Sequence, residues 1–313
     1  MIVAVHPGIS IVVVNWNHVD ELLQCLRSLY DAGADQAQVI VVDNGSVDAS
    51  VATVRREFPM AEVIETGANL GFAEGANRGI DLARGEWVFT FNNDATLAAD
   101  GLALLGAEAL AAQADVGMLQ PTLCFKDRPG VLNSTGIMMQ RSGFPYDRGF
   151  NQPADPAARS DEVFCCTAGA ALYRRTMLDA VRLPSGWFDR GFFMYFEDLD
   201  LGWRCRLAGW RALHVPAVRA LHRFQGSSVR HGASWLERTT RRNRVRTLLK
   251  NASLPLLARL SRSLGVEAAR SLRLDPEARR HLWAAFADGW SQRGAVGALA
   301  RVPRRELETR WFR

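Results

Sequence analysis

The sequence lacks any run of 18 apolar residues, so no segment is long and apolar enough to span a membrane as a helix. Its first seven residues have neither the charged start nor the apolar stretch of a signal peptide. The five cysteines are odd in number and form no Cys-X-X-Cys pair, which argues against a disulfide framework and a zinc knuckle. We therefore expect a cytoplasmic protein with reduced, mostly buried thiols.

Common catalytic and nucleotide-binding motifs are also missing. No G-x-x-x-x-G-K-[ST], G-x-S-x-G or H-E-x-x-H occurs, so a P-loop protein, an α/β-hydrolase and a zinc protease have no support. Glycines recur every fourth residue in residues 67–79, which is not the G-x-G-x-x-G dinucleotide fingerprint. Small residues on one helical face allow either close packing on a sheet or close approach of a ligand.

Length and charge divide the chain into two parts. Its 313 residues, 48% hydrophobic and 23% charged, have the composition of a globular protein and suffice for two domains or one large domain with an extension. Residues 1–227 hold 19 basic and 26 acidic side chains, whereas residues 228–313 hold 19 basic and 7 acidic ones. This asymmetry predicts a body over residues 1–227 and a basic helical extension over residues 228–313 that contacts something anionic.

Short apolar runs alternate with segments of helical periodicity in the first part of the chain. The run Ile9–Val14 indicates a strand buried on both faces, and apolar residues recur at helical spacing in Val19–Ala32. Further strands are predicted at Val39–Val42, Val63–Glu65 and Trp87–Phe91, each followed by a helix. The alternation predicts an α/β fold with a mostly parallel sheet flanked by helices.

Polar residues follow four of these strands, at the place where open α/β sheets bind ligands. They are Asn15 and Asn17, Asp43 to Ser46, Asn69, and Asn92 to Asp94. Because the carboxyl ends of parallel strands share one edge, we expect these side chains to lie together. Each group alone is typical of a turn, but four in succession indicate a binding site.

The order and spacing of six segments resemble the family 2 glycosyltransferases with the GT-A fold, and among them the bacterial rhamnosyltransferases. The segments are Val13–Asn17, Val41–Ser46, Asn69–Gly79, Asn92–Asp94, Thr167–Ala171 and Phe193–Arg206. The resemblance implies a GT-A domain with a C-terminal helical extension. It also implies inverting, metal-dependent transfer of a sugar, with dTDP-rhamnose favoured among dTDP- and UDP-sugars. The acceptor would be a hydroxyl of a saccharide or of a polyprenyl-linked glycan.

For the nucleotide, the resemblance implies a site made of Asn15, Asn17, Asp43, Asn69, Gly71, Asn77 and Asn93. The Asp43 carboxylate can accept the imide N–H of uracil or thymine, which adenine and cytosine lack, and such a bond discriminates strongly between bases. Asn15 and Asn17 would line the base or the ribose. The alternative for Asp43 is that it caps the turn after its strand.

For the metal ion, the resemblance implies Asp94, the last acid of a D-x-D-like motif, and a later histidine, for which His222 is the candidate. Mg²⁺ or Mn²⁺ held there would bridge the diphosphate and stabilise the leaving group, and an imidazole ligand favours Mn²⁺. The motif is Asn92-Asn93-Asp94, so only its last acid is present. The alternatives are that His222 is an ordinary surface or core histidine, or that His214 is the ligand.

For the general base, the resemblance implies Asp198, which with Glu197 opens a helix after the apolar segment Phe192–Phe196. Asp198 would remove the acceptor proton, and its apolar approach would raise its pKa toward a useful value. The alternative is that Asp198 caps the helix. Trp203 and Arg204 are expected at the acceptor or diphosphate side, and Gly169 is expected under the sugar.

The basic extension begins with the arginine-rich segment Arg238–Lys250. A basic amphipathic helix of this kind can lie on an anionic membrane. The alternative is a helix that packs on the body or on a second subunit of a homodimer. We expect no nucleic-acid partner, because no recognition module is present.

Two other functions stay open at this point. One is a protein that binds nucleotide-sugars or glycans on the same fold without catalysis, and the other is a nucleotidyltransferase. The presence of Asp94, Asp198 and His222 favours an enzyme over the first. The second would need a Gly-rich, basic N-terminal loop to hold a triphosphate, and the sequence lacks one.

Overall fold

One mixed β-sheet forms the centre of the protein in a computed structural model that describes residues 8–223, 232–271 and 276–313. The strands are β1 (Ile9–Asn15), β2 (Gln38–Asp43), β3 (Glu62–Glu65), β4 (Trp87–Phe91), β5 (Ala95–Leu97), β6 (Val116–Phe125), β7 (Leu132–Ser134), β8 (Ile137–Met139), β9 (Pro145–Asp147), β10 (Asp161–Val163), β11 (Ala170–Arg174) and β12 (Arg211–His222). The helices are α1 (Val19–Asp31), α2 (Ser50–Glu57), α3 (Gly71–Leu82), α4 (Gly101–Ala111), α5 (Arg175–Val181), α6 (Glu197–Leu207), α7 (Ala233–Asn251), α8 (Leu254–Ser271), α9 (Pro276–Ser291), α10 (Arg293–Leu299) and α11 (Arg304–Trp311). Short 3₁₀ turns lie at Ala34–Gln36 and Arg190–Phe192.

The strand order determines which strand ends share an edge. Within the described residues, ten strands form the sheet in the order β10-β12-β6-β11-β4-β1-β2-β3, with β5 on β12 and β7 on β6. The strands β4, β1, β2 and β3 are parallel, as the sequence predicts. Beyond them β11 runs antiparallel between β4 and β6. The predicted α/β fold is confirmed. The sheet is mixed beyond β4, in the strands that the hydrophobic periodicity of the sequence does not predict.

Both faces of the sheet carry an apolar layer, because side chains of a strand alternate between the faces. Ile11 and Val13 of β1 pack with residues of α1 and α4 on one face. Val12 packs with residues of α3 and of the C-terminal helices on the other. All five cysteines lie in the described part of the chain and are buried, unpaired thiols, as expected.

The glycines of α3 allow this helix to lie close to its neighbours. A Cβ atom at Gly79 would lie 2.3 Å from Val12 Cγ1, so this glycine serves close packing of the helix on the sheet. Gly71, at the start of the helix, has a φ of +79°, and a Cβ there would lie 2.3 Å from the carbonyl oxygen of Phe193. Gly71 therefore gives room to a loop from another part of the chain.

The C-terminal helices pack against the body. Val245 and Leu248 of α7 belong to the same apolar cluster as Leu199 of α6, and Phe312 packs edge-on against Phe164. This is the second of the two placements expected for the basic helix. That residues 228–313 form a domain of their own stays a prediction.

Several cations of α7 face the protein rather than solvent. Arg244, Arg246 and Lys250 are buried, and Lys250 Nζ lies 2.8 Å from a carboxylate oxygen of Asp189 and of Asp200. These three charges are therefore not available to a membrane surface, which was the other placement expected for this helix. Among the described helices, none combines the length and the apolar character needed to cross a bilayer.

Candidate active site

A cavity of about 380 Å³ opens at the carboxyl ends of β1, β2 and β4, where the sheet topology predicts a ligand. Val14 and Trp16 line it at the end of β1, Asn44 at the end of β2, and Asn93 after β4. The parallel pairing of β1 with β2 and with β4 brings these ends together. The polar edge expected from the sequence therefore forms one wall of this cavity.

The structure brings most of the predicted site residues to this wall or one hydrogen bond behind it. The lining residues among them are Asn69, Gly71, Asn93, Asp94, Gly169, Glu197, Asp198 and His222. Behind the wall, Asn93 Nδ2 donates to Asn15 Oδ1 over 2.8 Å. Asn17 Oδ1 accepts the backbone N–H of Val47 over 2.9 Å, which fixes the loop after β2.

Asp43 lies in the same buried polar chain. It is 2% exposed, its Oδ2 accepts the backbone N–H of Ser46 over 2.8 Å, and its Oδ1 lies 3.3 Å from Asn15 Nδ2. The bond to Ser46 is the turn cap expected as the alternative role of Asp43. Recognition of the base by this carboxylate stays a prediction.

Asp94 and His222 meet at the cavity. His222 Nε2 lies 3.2 Å from Asp94 Oδ1 and 3.1 Å from Asn92 Nδ2. On the other side of the ring, Nδ1 lies 2.8 Å from Asn133 Oδ1, and an amide oxygen only accepts. In the neutral form of the ring the proton is therefore on Nδ1, and the lone pair of Nε2 then faces Asp94.

The pairing of β12 with β5 produces this contact. His222, the last residue of β12, lies opposite Ala95 of β5, which directly follows Asp94. The register of β12 against β6 shifts between Val215 and Arg219, which changes the direction of the end of the strand. Irregularities of this kind are common beside active sites. The sequence identifies both residues by resemblance, and the fold shows that they touch.

The pair fits a divalent cation. A lone pair and a carboxylate oxygen repel each other at this separation unless a positive charge lies between them, and Asp94 Oδ1 is buried without a hydrogen-bond partner in the described residues. Imidazole nitrogen and carboxylate oxygen are ligands that Mn²⁺ accepts. The described part of the chain holds no cluster of three or more His, Cys, Asp or Glu side chains arranged for a metal. A cation held by this pair would therefore need further ligands from outside these two side chains.

Glu197 and Asp198 open α6 at the cavity. The cap position of this helix is Phe196, so the alternative role of Asp198 as the cap is not what the structure shows. Asp198 Oδ2 accepts the backbone N–H of Ala168 over 3.2 Å, and its Oδ1 accepts that of Leu199 over 2.7 Å. These donors orient the carboxylate and favour its ionised form.

The environments of the two acids differ. Burial raises the pKa of both carboxyls, and the charge of Asp198 raises the pKa of Glu197 further. For Asp198 the N–H donors of Ala168 and Leu199 oppose the effect of burial. Glu197 Oε2 has no hydrogen-bond partner within the described residues. These environments favour a negative charge on Asp198 over one on Glu197.

A strained loop leads into this pair. Phe193, Tyr195 and Phe196 have φ values of 67°, 68° and 71°, a region that costs a residue with a side chain about 1–3 kcal/mol. The Phe193 carbonyl accepts the N–H of Ala73 over 3.1 Å, in the space left by Gly71. The loop thus joins the start of α3 to the start of α6 beside the cavity.

Three predicted residues do not line the cavity, contrary to what the resemblance implies. Asn77 holds the backbone of Phe188, accepting its N–H over 3.0 Å and donating to its carbonyl over 2.7 Å. Trp203 is fully buried in the apolar core. Arg204 is fully buried with its Nε 3.0 Å from Asp200. The helical rotation after Asp198 directs these last two side chains into the protein.

The sequence gives no signal for two further residues of the site. Asn133 orients His222 as described above, and Asp147 lines the cavity at the end of β9. Burial raises the pKa of Asp147 to about 6, with a hydrogen bond to Ser134 opposing and the charge of Asp198 adding to the effect. Both residues lie in short strands of a region rich in turns, with no motif around them.

The cavity has an open side. A second, more open space of about 450 Å³ shares Tyr146 and Asp147 with it and is also lined by Gly149, Phe150 and Gln152. Tyr146 is 40% exposed and Phe150 37% exposed. Aromatic faces beside a carboxylate and an amide therefore border the open side of the cavity.

Comparison with known proteins gives concordant results. The model of the family described as "Glycosyl transferase family 2" matches residues 10–182. The N-acetylglucosaminyl-diphospho-decaprenol L-rhamnosyltransferase of Mycobacterium tuberculosis is 29% identical over 261 residues, covering 73% of this chain and 80% of its own. The structure of GalNAc-T7 with UDP, GalNAc and Mn²⁺ matches with a TM-score of 0.59 at 14% identity, covering 78% of this chain and 48% of that one, so this chain spans about half its length. The mannosyltransferase PcManGT of Pyrobaculum calidifontis, in complex with GDP-Man and Mn²⁺, matches with a TM-score of 0.53 at 20% identity, covering 97% and 79%.

The family match covers more than half of the chain and includes the first four strands of the sheet. The two solved structures show that the fold is of the GT-A type. The resemblance inferred from the sequence is confirmed: the chain belongs to glycosyl transferase family 2 and is a glycosyltransferase similar to rhamnosyltransferases.

Proposed function

We propose that this glycosyltransferase moves a sugar, with inversion, from a dTDP- or UDP-sugar to a hydroxyl of a lipid-linked saccharide, and that dTDP-rhamnose is the donor. The observation that carries the proposal is the convergence of the Asp94–His222 pair and the Glu197–Asp198 pair on one cavity at the ends of parallel strands. The name of the mycobacterial relative, with its rhamnose and its decaprenol-linked N-acetylglucosamine, supports the sugar and the class of acceptor.

On the donor side, Asp94 and His222 would hold Mn²⁺ or Mg²⁺, which when bound supplies Lewis-acid stabilisation of the departing diphosphate. The bond between His222 Nδ1 and Asn133 keeps Nε2 available, in the way that outer partners commonly orient a ligating histidine. Asp43 would select uracil or thymine, since a carboxylate that accepts one N–H from Ser46 has further acceptor capacity.

On the acceptor side, Asp198 would take the proton of the attacking hydroxyl. Its raised pKa makes it a stronger base than an exposed aspartate, and the raised pKa of Glu197 favours keeping the charge on Asp198. A single displacement assisted by one base inverts the configuration at the sugar carbon. The acceptor would enter along the open side, where Tyr146 offers a flat apolar face and Asp147 an acceptor for hydroxyl groups.

A membrane contact would bring a lipid-linked acceptor to the site, and we propose α9 for it rather than α7. Trp283 and Trp290, 50% and 55% exposed, are seven residues apart and so share one face of α9. Aromatic residues of this kind favour the membrane interface, and the positive balance of residues 228–313 favours anionic lipid. Replacing both tryptophans with serine should release the protein from sedimenting phosphatidylglycerol vesicles, and unchanged sedimentation would contradict the proposal.

The test of the proposed reaction is an assay of transfer from dTDP-rhamnose to a synthetic polyprenyl-diphosphate N-acetylglucosamine. Asp198→Asn should lower kcat by 10²–10⁴-fold or more, the range expected on loss of a general base, while dTDP binding persists. The control is Asp81→Asn, an exposed acid that pairs with Arg182 at the surface. Near-normal turnover by Asp198→Asn would contradict the role of this residue, and no transfer by the wild type would contradict the donor and acceptor proposed.

A further inference from the structure

The loop that leads into the catalytic acids is held from outside by α7. Asn243, fully buried, donates through Nδ2 toward three backbone carbonyls of this loop. The distances are 2.7 Å to Tyr195, 2.9 Å to Met194 and 3.1 Å to Phe192. One amide group thus contacts three carbonyls of a loop in which Phe193, Tyr195 and Phe196 have positive φ and which lies outside any helix or strand ladder.

The neighbouring Arg242 fixes the orientation of this amide. Its Nε donates to Asn243 Oδ1 over 2.9 Å, which directs Nδ2 toward the loop, and its Nη2 donates to the Phe192 carbonyl over 2.7 Å. An amide whose oxygen is already bound by a cation cannot rotate without losing that bond. Arg242 and Asn243 therefore act as one unit.

The same helix also anchors the segment on both sides of the loop. Before the loop, Asp189 binds Arg246 over 3.0 Å and Lys250 over 2.8 Å. After it, Asp200 of α6 binds Lys250 over 2.8 Å. Both aspartates are fully buried. The chain from Asp189 to Asp200, which contains Glu197 and Asp198, is thus fastened to α7 at its start, middle and end.

We infer that α7 is the positioning element of the catalytic acids, and that Asn243, oriented by Arg242, holds the loop Phe192–Phe196 in the strained conformation that aims Asp198 into the cavity. Neither Arg242 nor Asn243 lines the cavity, so they are positioning residues. The inference rests on the proposed role of Asp198 and gives the basic extension a part in catalysis. The family match ends at residue 182, before both the loop and α7.

The test is Asn243→Asp, which keeps the size of the side chain but replaces the donor with oxygens that repel three carbonyls. Transfer from dTDP-rhamnose should lose ten- to a hundredfold in kcat, since a small misplacement of a reacting group has effects of about this size. The affinity for dTDP should change by less than about threefold. Amide hydrogen exchange of the peptide over residues 192–200, measured on the free protein, should become at least about tenfold faster.

The matched control is Val245→Ala on the same helix, which removes buried apolar volume without touching the loop. It should lower global stability but leave kcat and loop exchange within about twofold of the wild type. Arg242→Gln is a milder second loop variant if Asn243→Asp does not fold, and it should show a smaller change in the same direction. Unchanged loop exchange in the loop variants, or equal losses of kcat in Val245→Ala, would overturn the inference. A wild type that transfers no sugar would count against the proposed function only, because loop exchange alone still decides whether α7 holds the loop.

Discussion

Replacing Asp200 with asparagine should remove a large part of the stability of this protein. Asp200 Oδ2 accepts from Arg204 Nε at 3.0 Å and from Lys250 Nζ at 2.8 Å, and its Oδ1 accepts from Asn251 Nδ2 at 2.8 Å. All four side chains are fully buried. Because every partner is a donor, the amide group of an asparagine would have to face one of them.

The magnitude follows from the burial of the charges. Asp200→Asn leaves the guanidinium of Arg204 without its counter-ion and the ammonium of Lys250 with Asp189 alone, and breaking a buried ion pair costs about 3–5 kcal/mol. Whole domains have about 5–15 kcal/mol of unfolding free energy. The control is Asp115→Asn, because Asp115 is about half exposed and lies 3.4 Å from Arg211 Nη1. An exposed pair of this kind contributes about 0–1 kcal/mol.

The assay is urea unfolding followed by tryptophan fluorescence, with the free energy of unfolding extrapolated to water. We expect Asp200→Asn to lose at least about 3 kcal/mol and Asp115→Asn at most about 1 kcal/mol. A loss for Asp200→Asn that does not exceed that of the control would refute the reasoning. It would mean that α6 and α7 are held together by apolar packing alone.

Two further predictions concern pH. Burial lowers the pKa of His214 to about 4. The stability that the neutral ring contributes is therefore fully present above the unfolded pKa of about 6.5 and is lost as pH falls through 4, in total roughly 3 kcal/mol. Curves of unfolding free energy against pH that run parallel for the wild type and His214→Gln would contradict this. Burial and the charge of Asp198 raise the pKa of Glu197. The stability that the protonated side chain contributes is therefore fully present below about pH 4.3, and the free energy of unfolding falls by about 1.4 kcal/mol per pH unit as pH rises above that value. Glu197→Gln should therefore be more stable than the wild type at pH 8, by a margin that shrinks toward pH 5, and a margin independent of pH would count against a raised pKa.

The sequence predicts the apolar strands β1, β2 and β4, and it misses the two long strands β6 and β12, which contain proline. The runs of β1, β2 and β4 are buried on both faces and bounded by turn residues, so their period and length are unambiguous. Every residue of β6 is buried too. Pro121 within it has no backbone N–H to donate, however, so the segment does not have the sequence pattern of a central strand. Pro216 has the same effect in β12, the strand that delivers His222.

The candidate site is predictable where a residue belongs to a motif and not where its role depends on distant backbone. Asp94 and Asp198 stand in recognisable segments, and the fold places both at the cavity. Asn243 acts on carbonyls about fifty residues earlier in the chain, so no local pattern marks it. The cations of α7 were expected on a solvated or membrane-facing surface because buried arginine and lysine are rare, and only the fold shows Asp189 and Asp200 beneath them.

The most direct test of the central claim is calorimetric binding of UDP, dTDP, GDP and ADP to the purified protein, first with Mn²⁺ and then with EDTA. We predict that dTDP or UDP binds in the presence of Mn²⁺ at least about tenfold more tightly than GDP or ADP. EDTA should weaken this binding, and His222→Ala should remove the effect of the metal. Equal affinity for purine and pyrimidine nucleotides, or nucleotide binding that neither EDTA nor His222→Ala changes, would contradict the claim that this cavity is a metal-assisted site for a pyrimidine nucleotide-sugar.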